Sequence, residues 1–309
     1  MERRYWQMIK TVIFLWSFTI IHLTVWARQQ PKMAAQNPSP MTENIRPHHR
    51  VPEKKFPGVY EEWDNLLPST VKFFMPTQHA PDSLNLLIHF HGSPQAANYA
   101  VHNHPGWAAI TLNLGSGSSI YADQFSDAKI LEQLLLSASN AIEKPIRAVY
   151  LSGWSAGYGA IRSILRSENK AKIRGIILLD GMHADYVPKG TPLAAGGEID
   201  QNDLFPFVDY AKSSIAGETY FIFTHSAVFP GTYASTTECA DYLIRSLSLK
   251  LTPQLQQGPM GMQQLGKTAK GNLQIIAYAG NSAPDHVDHL HGLYYFLKMI
   301  GRNTEQDDS

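Results

Sequence analysis

From residue 60 onward, short apolar runs alternate along the chain with stretches of helical period. The runs are Val71–Met75, Leu84–Phe90, Ala108–Leu114, Ala148–Ser152, Ile173–Leu179, Tyr220–Phe223 and Leu273–Tyr278. Several are nearly continuous in Ile, Leu, Val and Phe, the pattern of strands covered on both faces. Between them lie amphipathic segments such as Asp123–Ile142, with apolar residues at 130, 131, 134, 135 and 136, and Leu290–Ile300. Strand and helix in repetition predict a doubly wound α/β domain, with a mostly parallel sheet, helices on both faces and right-handed crossovers. Ligands bind at the carboxyl ends of the strands in such a domain, so candidate chemistry belongs where the apolar runs stop. No internal repeat interrupts the pattern.

The amino-terminal part departs from it. Residues 1–27 carry Arg3, Arg4 and Lys10 and then an uncharged run from Thr11 to Ala27. This reads as an export signal cleaved after Ala27, or as an uncleaved anchor at the short limit of a spanning helix. Both readings put the folded part outside the cytoplasm, periplasmic or secreted, and a membrane enters only if the segment is retained. Residues 28–56 are rich in Pro, Gln and charge and predict a flexible linker or a loosely docked arm, leaving 57–305 for the domain. The His48-His49 pair in that linker is expected to be solvated.

Composition narrows the function classes. A chain of 309 residues with 44% apolar and 17% charged residues can bury a large core, and one domain with tails suits that length. Lys+Arg and Asp+Glu are both 26, so no net field draws the chain to nucleic acid. The single cysteine, Cys239, excludes an internal disulfide framework and a multi-thiolate metal site.

The motif that carries chemistry follows the run AVYLS. There the chain reads Gly153-Trp154-Ser155-Ala156-Gly157-Tyr158-Gly159 and continues into the helical AIRSILRS. This is G-x-S-x-G between a buried strand and a helix. A serine on so sharp a turn adopts strained backbone angles, and the flanking glycines let strand and helix pass close to each other. The Ser155 hydroxyl is then presented at the sheet edge, with the Ala156 amide aimed at the same spot from the helix start.

In this setting the sequence resembles the α/β-hydrolase superfamily over roughly residues 68–300. The resemblance implies a serine nucleophile at Ser155 and an oxyanion hole completed by the loop after the third strand. His91-Gly92 looks like the H-G pair that opens that loop, Gly92 allowing close approach and Ser93 giving the amide beside that of Ala156. The base is expected after the last strand, where His286, His289 and His291 compete. Pro284 and Asp285 look like a helix start and favour His286, with His289 as the alternative. The acid is expected at the end of a later strand. Asp180 closes the run IRGIILLD, whereas no carboxylate stands between Phe223 and Glu238, a departure from the commoner pattern of an acid soon after the seventh strand. Asp180 is therefore preferred, with Glu238, Asp285 and Asp288 as alternatives. A buried carboxylate needs a partner to offset its desolvation, and a histidine would serve.

A metal reading of His286-x-x-His289 with Asp285 and Asp288 lacks an obvious distant third ligand. No cofactor is called for, and the Gly115–Tyr121 segment lacks the features of a phosphate loop. Gly181–Gly217 is expected to form a small loop-rich lid, and Trp154, Tyr121, Tyr186 and Phe229 an aromatic pocket. The expected activity is ester hydrolysis on a small-molecule ester or acyl substrate. A peptidase or acyltransferase shares these residues, and a non-catalytic binding protein is the reading from a different class.

Overall fold

The computed structural model describes residues 51–77 and 82–307, with side chains to residue 300. The expected export signal and residues 28–50 of the expected linker lie outside the described residues.

The first half of the domain runs β1 Gly58–Trp63, β2 Val71–Pro76, β3 Leu84–Phe90, helix α1 Pro94–His102, β4 Trp107–Leu112, α2 Ser118–Gln124, α3 Ala128–Ile142 and β5 Ile146–Trp154. It continues with α4 Tyr158–Arg166, β6 Ile173–Leu179, a two-stranded ribbon of β7 Tyr186–Val187 and β8 Glu198–Ile199, and α5 Phe205–Ile215. The last part is β9 Tyr220–His225, α6 Thr236–Ser246, β10 Thr252–Gln257, β11 Gln263–Lys270, β12 Leu273–Tyr278, α7 Ala283–His291 and α8 Leu293–Asp307. Ten strands form one sheet in the order β1-β2-β4-β3-β5-β6-β9-β12-β11-β10. The six from β4 to β12 are parallel to their neighbours, and the strands outside them pair antiparallel.

Side chains alternate across a strand, so each apolar run feeds two cores. Leu86, Ile88, Phe90, Ile176, Leu178, Phe221, Phe223 and Ile275 point to one face, where helices α2 to α6 cover them. Leu87, Ile177, Leu179, Ile222 and Ile276 point to the other, under α1 and α8. This double coverage is why the runs lack polar alternation. It also corrects two sequence expectations. The Asp123–Ile142 segment is two helices, because Asp127 caps the second by accepting the Lys129 amide at 3.0 Å. The second half of the expected lid is α5, a crossover helix whose Phe207, Tyr210 and Ala211 are buried against the sheet.

The packed chain also begins before residue 57. Val51 and Phe56 are buried anchors, the Val51 amide donates to His291 Nδ1 at 3.1 Å, and Phe56 stacks on His102. Gln95 Nε2 donates to the carbonyls of Pro52 and Lys54 at 2.5 and 2.6 Å. Residues 51–56 are thus part of the domain rather than of the linker.

Candidate active site

Strand β5 lies at the middle of the sheet, between β3 and β6, and breaks off at Trp154. Ser155 opens a single 3₁₀ turn with φ of +48°, a left-handed conformation that costs a non-glycine residue about 1–3 kcal/mol unless its surroundings hold it. Two glycines allow this. A Cβ on Gly157 would lie 2.1 Å from the Phe90 carbonyl oxygen, so only glycine lets the turn sit against the end of β3. A Cβ on Gly181 would lie 2.5 and 2.6 Å from the Ser155 carbonyl oxygen and nitrogen, so the loop leaving β6 is pressed onto the serine backbone. The chain ends of β3, β5 and β6 are therefore drawn together at Ser155, which remains half-buried.

On the β3 side, His91 and Gly92 both take positive φ, +66° and +109°. They turn the chain into α1, whose amino terminus Ser93 caps by accepting the Gln95 amide at 3.2 Å. The Ser93 hydroxyl is thus a helix cap, leaving its backbone amide for the expected oxyanion role. Ala156 is nearly buried on the other side of the turn. His91 is fixed by Tyr121, whose hydroxyl lies 2.9 Å from Nδ1 and also accepts the Leu114 amide. Burial first, and nearby His286 in addition, push the His91 pKa down toward the neutral imidazole. His89, the neighbouring strand residue, is fully buried and bonded to Ser152 Oγ at 2.7 Å.

On the β6 side, Asp180 follows the strand directly and is 1% exposed. Its Oδ2 lies 2.7 Å from His286 Nδ1, a pair joined across 106 residues. Because burial opposes its charge, the carboxyl requires compensation. Nearby His289 and the bonds from His286 and Thr236 outweigh burial and hold the acid well below the usual carboxylate range. Asp180 is then acceptor-only, so Nδ1–H of His286 donates and the Nε2 of that imidazole is left as its basic atom.

His286 stands in the first turn of α7. Ser282 and Asp285 close a capping box there, and Asp285 Oδ2 also accepts the Asn281 and Ser282 amides at 3.0 Å. Trp154 ties this turn to the serine: its Nε1 donates to the His286 carbonyl at 2.9 Å, and its ring lies 4.8 Å from the imidazole. The indole also stacks on His91 at 5.1 Å, 10° from parallel. Trp154 thus touches both the β3 loop and the histidine, immediately before the nucleophile candidate.

The alternatives are placed elsewhere. His289 is fully buried, with Nδ1 2.7 Å from Thr224 Oγ1 and its ring edge-on to Tyr278. Glu238 is the third residue of α6, where its Oε2 accepts from the Ser235 amide and hydroxyl and from the Tyr186 hydroxyl at 2.7–2.8 Å. The four aromatic residues expected to line a pocket are not alike: Tyr121 and Tyr186 are buried, with hydroxyls committed to His91 and Leu114 and to Glu238 respectively, and Phe229 is 50% exposed. Among the described residues no group of three or more His, Cys, Asp or Glu is arranged to hold a metal.

Sequence reasoning missed Ser226 and Thr236, which also bond to Asp180. Hydroxyl residues are too common at strand and helix ends to stand out without coordinates.

A turn of this kind at the end of the central strand, a parallel sheet flanked by antiparallel strands, and a histidine after the last parallel strand make this an α/β-hydrolase fold. Among solved structures the chain is similar to carboxyl esterase 2 of the mycorrhizal fungus Tuber melanosporum, at 12% identity and TM-score 0.47 over 83% of this chain and 89% of that one. It is similar to a poly(3-hydroxybutyrate) depolymerase of Bordetella parapertussis, at 10% identity and TM-score 0.44 over 78% and 91%. The Pyrococcus horikoshii acylaminoacyl peptidase is similar at 12% identity and TM-score 0.47 over 81% of this chain and 42% of that one. No family model and no curated protein matches the sequence.

Proposed function

We propose that the chain is a serine hydrolase that cleaves carboxylic esters through an acyl-enzyme, with Ser155 as nucleophile, His286 as base and Asp180 as the acid that orients it. The observation that carries this reading is the 2.7 Å bond between Asp180 and a histidine held by the residue next to Ser155. In the proposed reaction Ser155 Oγ adds to the ester carbonyl while Nε2 of His286 takes its proton. The negative charge on the former carbonyl oxygen is met by the amides of Ala156 and of the Gly92-Ser93 turn, and each such donor is worth about 3 kcal/mol in the transition state. Collapse expels the alcohol, which receives the proton from His286. Water then repeats the sequence on the acyl group, releasing the acid and restoring the serine.

The test is labelling by a fluorophosphonate probe together with turnover of p-nitrophenyl acetate. The unmutated chain should be labelled at Ser155 and should turn the ester over, and Ser155→Ala should do neither while keeping its fold. Retained turnover in Ser155→Ala would overturn the reading, as would an unlabelled chain that hydrolyses nothing. A panel of acyl esters beside aminoacyl amides separates an esterase from a peptidase of the same residues, since pocket shape selects the leaving group.

A further inference from the structure

In the commoner arrangement of this superfamily the acid follows the seventh strand, and here that place after β9 is taken by Ser226. The structure does not leave it idle. Asp180 Oδ1 accepts the Ser226 amide at 2.9 Å and the Thr236 hydroxyl at 2.6 Å. Oδ2 accepts the Ser226 hydroxyl at 2.7 Å, in addition to His286. Both carboxylate oxygens are thus doubly bonded, and three of the four donors come from two residues. Ser226 and Thr236 are themselves buried, 1% and 2% exposed, and Thr237 ties them together by donating to the Ser226 carbonyl at 2.7 Å. Thr236 is the first residue of α6, so the positive end of that helix adds to the same field.

We infer that Ser226 and Thr236 are positioning residues of the hydrolase: they fix the plane of the Asp180 carboxylate so that one oxygen faces His286 Nδ1, in place of an acid on β9. The inference rests on the hydrolase reading only for the meaning of the rate. The physical reason is count. A carboxylate on a short side chain rotates about its terminal bond, and only donors on both oxygens select one rotation. With three further donors on its two oxygens, the Asp180 carboxylate is also a weak base toward the imidazole proton, so His286 keeps Nδ1–H and leaves Nε2 as the basic atom for Ser155.

The test compares Thr236→Val, Thr236→Ser and Ser226→Ala, each in the unmutated chain and in Asp180→Asn, by kcat and KM on p-nitrophenyl acetate. Thermal unfolding and the low-field proton resonance of the His286–Asp180 bond are recorded on the same samples. Thr236→Val should lower kcat about tenfold with KM unchanged, from the loss of one charge-assisted bond. Thr236→Ser should restore it, and Ser226→Ala should resemble Thr236→Val. In the Asp180→Asn background neither should cost much further, because both act through the carboxylate. The low-field resonance should move or broaden in Thr236→Val and return in Thr236→Ser. A Thr236→Val enzyme with full kcat and an unmoved resonance would overturn the inference, as would an equal loss of kcat with and without Asp180. If the unmutated chain hydrolyses no ester, the hydrolase reading fails, and the resonance still decides whether these residues orient the pair.

Discussion

The end of β6 and the first turn of α6 each hold one carboxylate, Asp180 and Glu238, both wrapped by hydroxyls at the same edge of the sheet. Asp180 is bonded by Ser226, Thr236 and His286, Glu238 by Ser235 and Tyr186. The two differ in one respect: Asp180 keeps a bond to a partly exposed imidazole whose helix turn is tied to Trp154, the residue before Ser155, whereas the bonds of Glu238 to Ser235 and Tyr186 end in a helix cap and a buried phenol. A carboxylate at a sheet edge is therefore not a candidate acid by position alone. Its remaining partner decides.

The strongest way to break this comparison is to neutralise both in turn. Asp180→Asn should lower kcat by about three to four orders of magnitude, since an amide can stabilise the wrong imidazole tautomer and cannot support the imidazolium. Glu238→Gln should keep turnover within about twofold, because glutamine also closes a capping box. Steady-state kinetics on both variants decide it. If Glu238→Gln is the crippled enzyme and Asp180→Asn is not, the contrast between the two regions is wrong.

The same distinction separates the histidines and yields a pH dependence. His286 reaches the surface, with its side chain 18% exposed, whereas His89 and His225 are enclosed at 0% and 4%. Burial lowers the pKa of His89 to about 3 and of His225 to about 4, from 6.5. Below pH 6.5 the unfolded chain protonates these imidazoles and the folded one does not, so stability is full above that value and falls as pH drops toward 3–4. Between pH 7 and 5 the loss should be about 2 kcal/mol for each group. Asp180, with its pKa depressed, adds its own loss only further down, in the carboxylate range. Denaturant unfolding at pH 7, 6 and 5 checks this, and His89→Asn should flatten the slope. A free energy of unfolding constant over that interval would refute it.

How much of this was readable beforehand follows coverage. Strands β3, β6 and β12 have the bounds that their apolar runs suggest, because the first and last residue of each is apolar and buried, and a polar residue at the second position does not interrupt the run. Strands β1, β10 and β11 were missed. β10 reads TPQLQQ with every residue exposed, and β11 turns Gln264, Gly266 and Thr268 inward, so neither shows the alternation that marks a half-buried strand. At the site, the turn at Ser155 was legible from its glycines, whereas the preference for Asp180 and His286 came from the resemblance to a known family; the structure brings those two side chains together at 2.7 Å. The hydroxyls around Asp180 and the contacts of the Trp154 indole with His91 and His286 were not, since they depend on contacts between segments far apart in sequence.

The smallest expected effect concerns Ser93, a residue whose side chain and backbone belong to different tasks. Its hydroxyl caps α1 through the Gln95 amide, and its own amide is the one assigned to the proposed oxyanion hole. Ser93→Ala removes the first and leaves the second. The expected cost is about 1 kcal/mol of stability, the usual worth of such a cap, with kcat changed by less than about twofold. Gly92, at φ of +109° with Leu290 Cδ1 only 3.0 Å from where a Cβ would stand, has no such separation, and Gly92→Ala should disturb both. Thermal unfolding beside ester turnover resolves the two columns. A Ser93→Ala enzyme with normal stability and a tenfold loss of kcat would mean that the hydroxyl, not the amide, serves the reaction, and the oxyanion hole would need to be redrawn around that side chain.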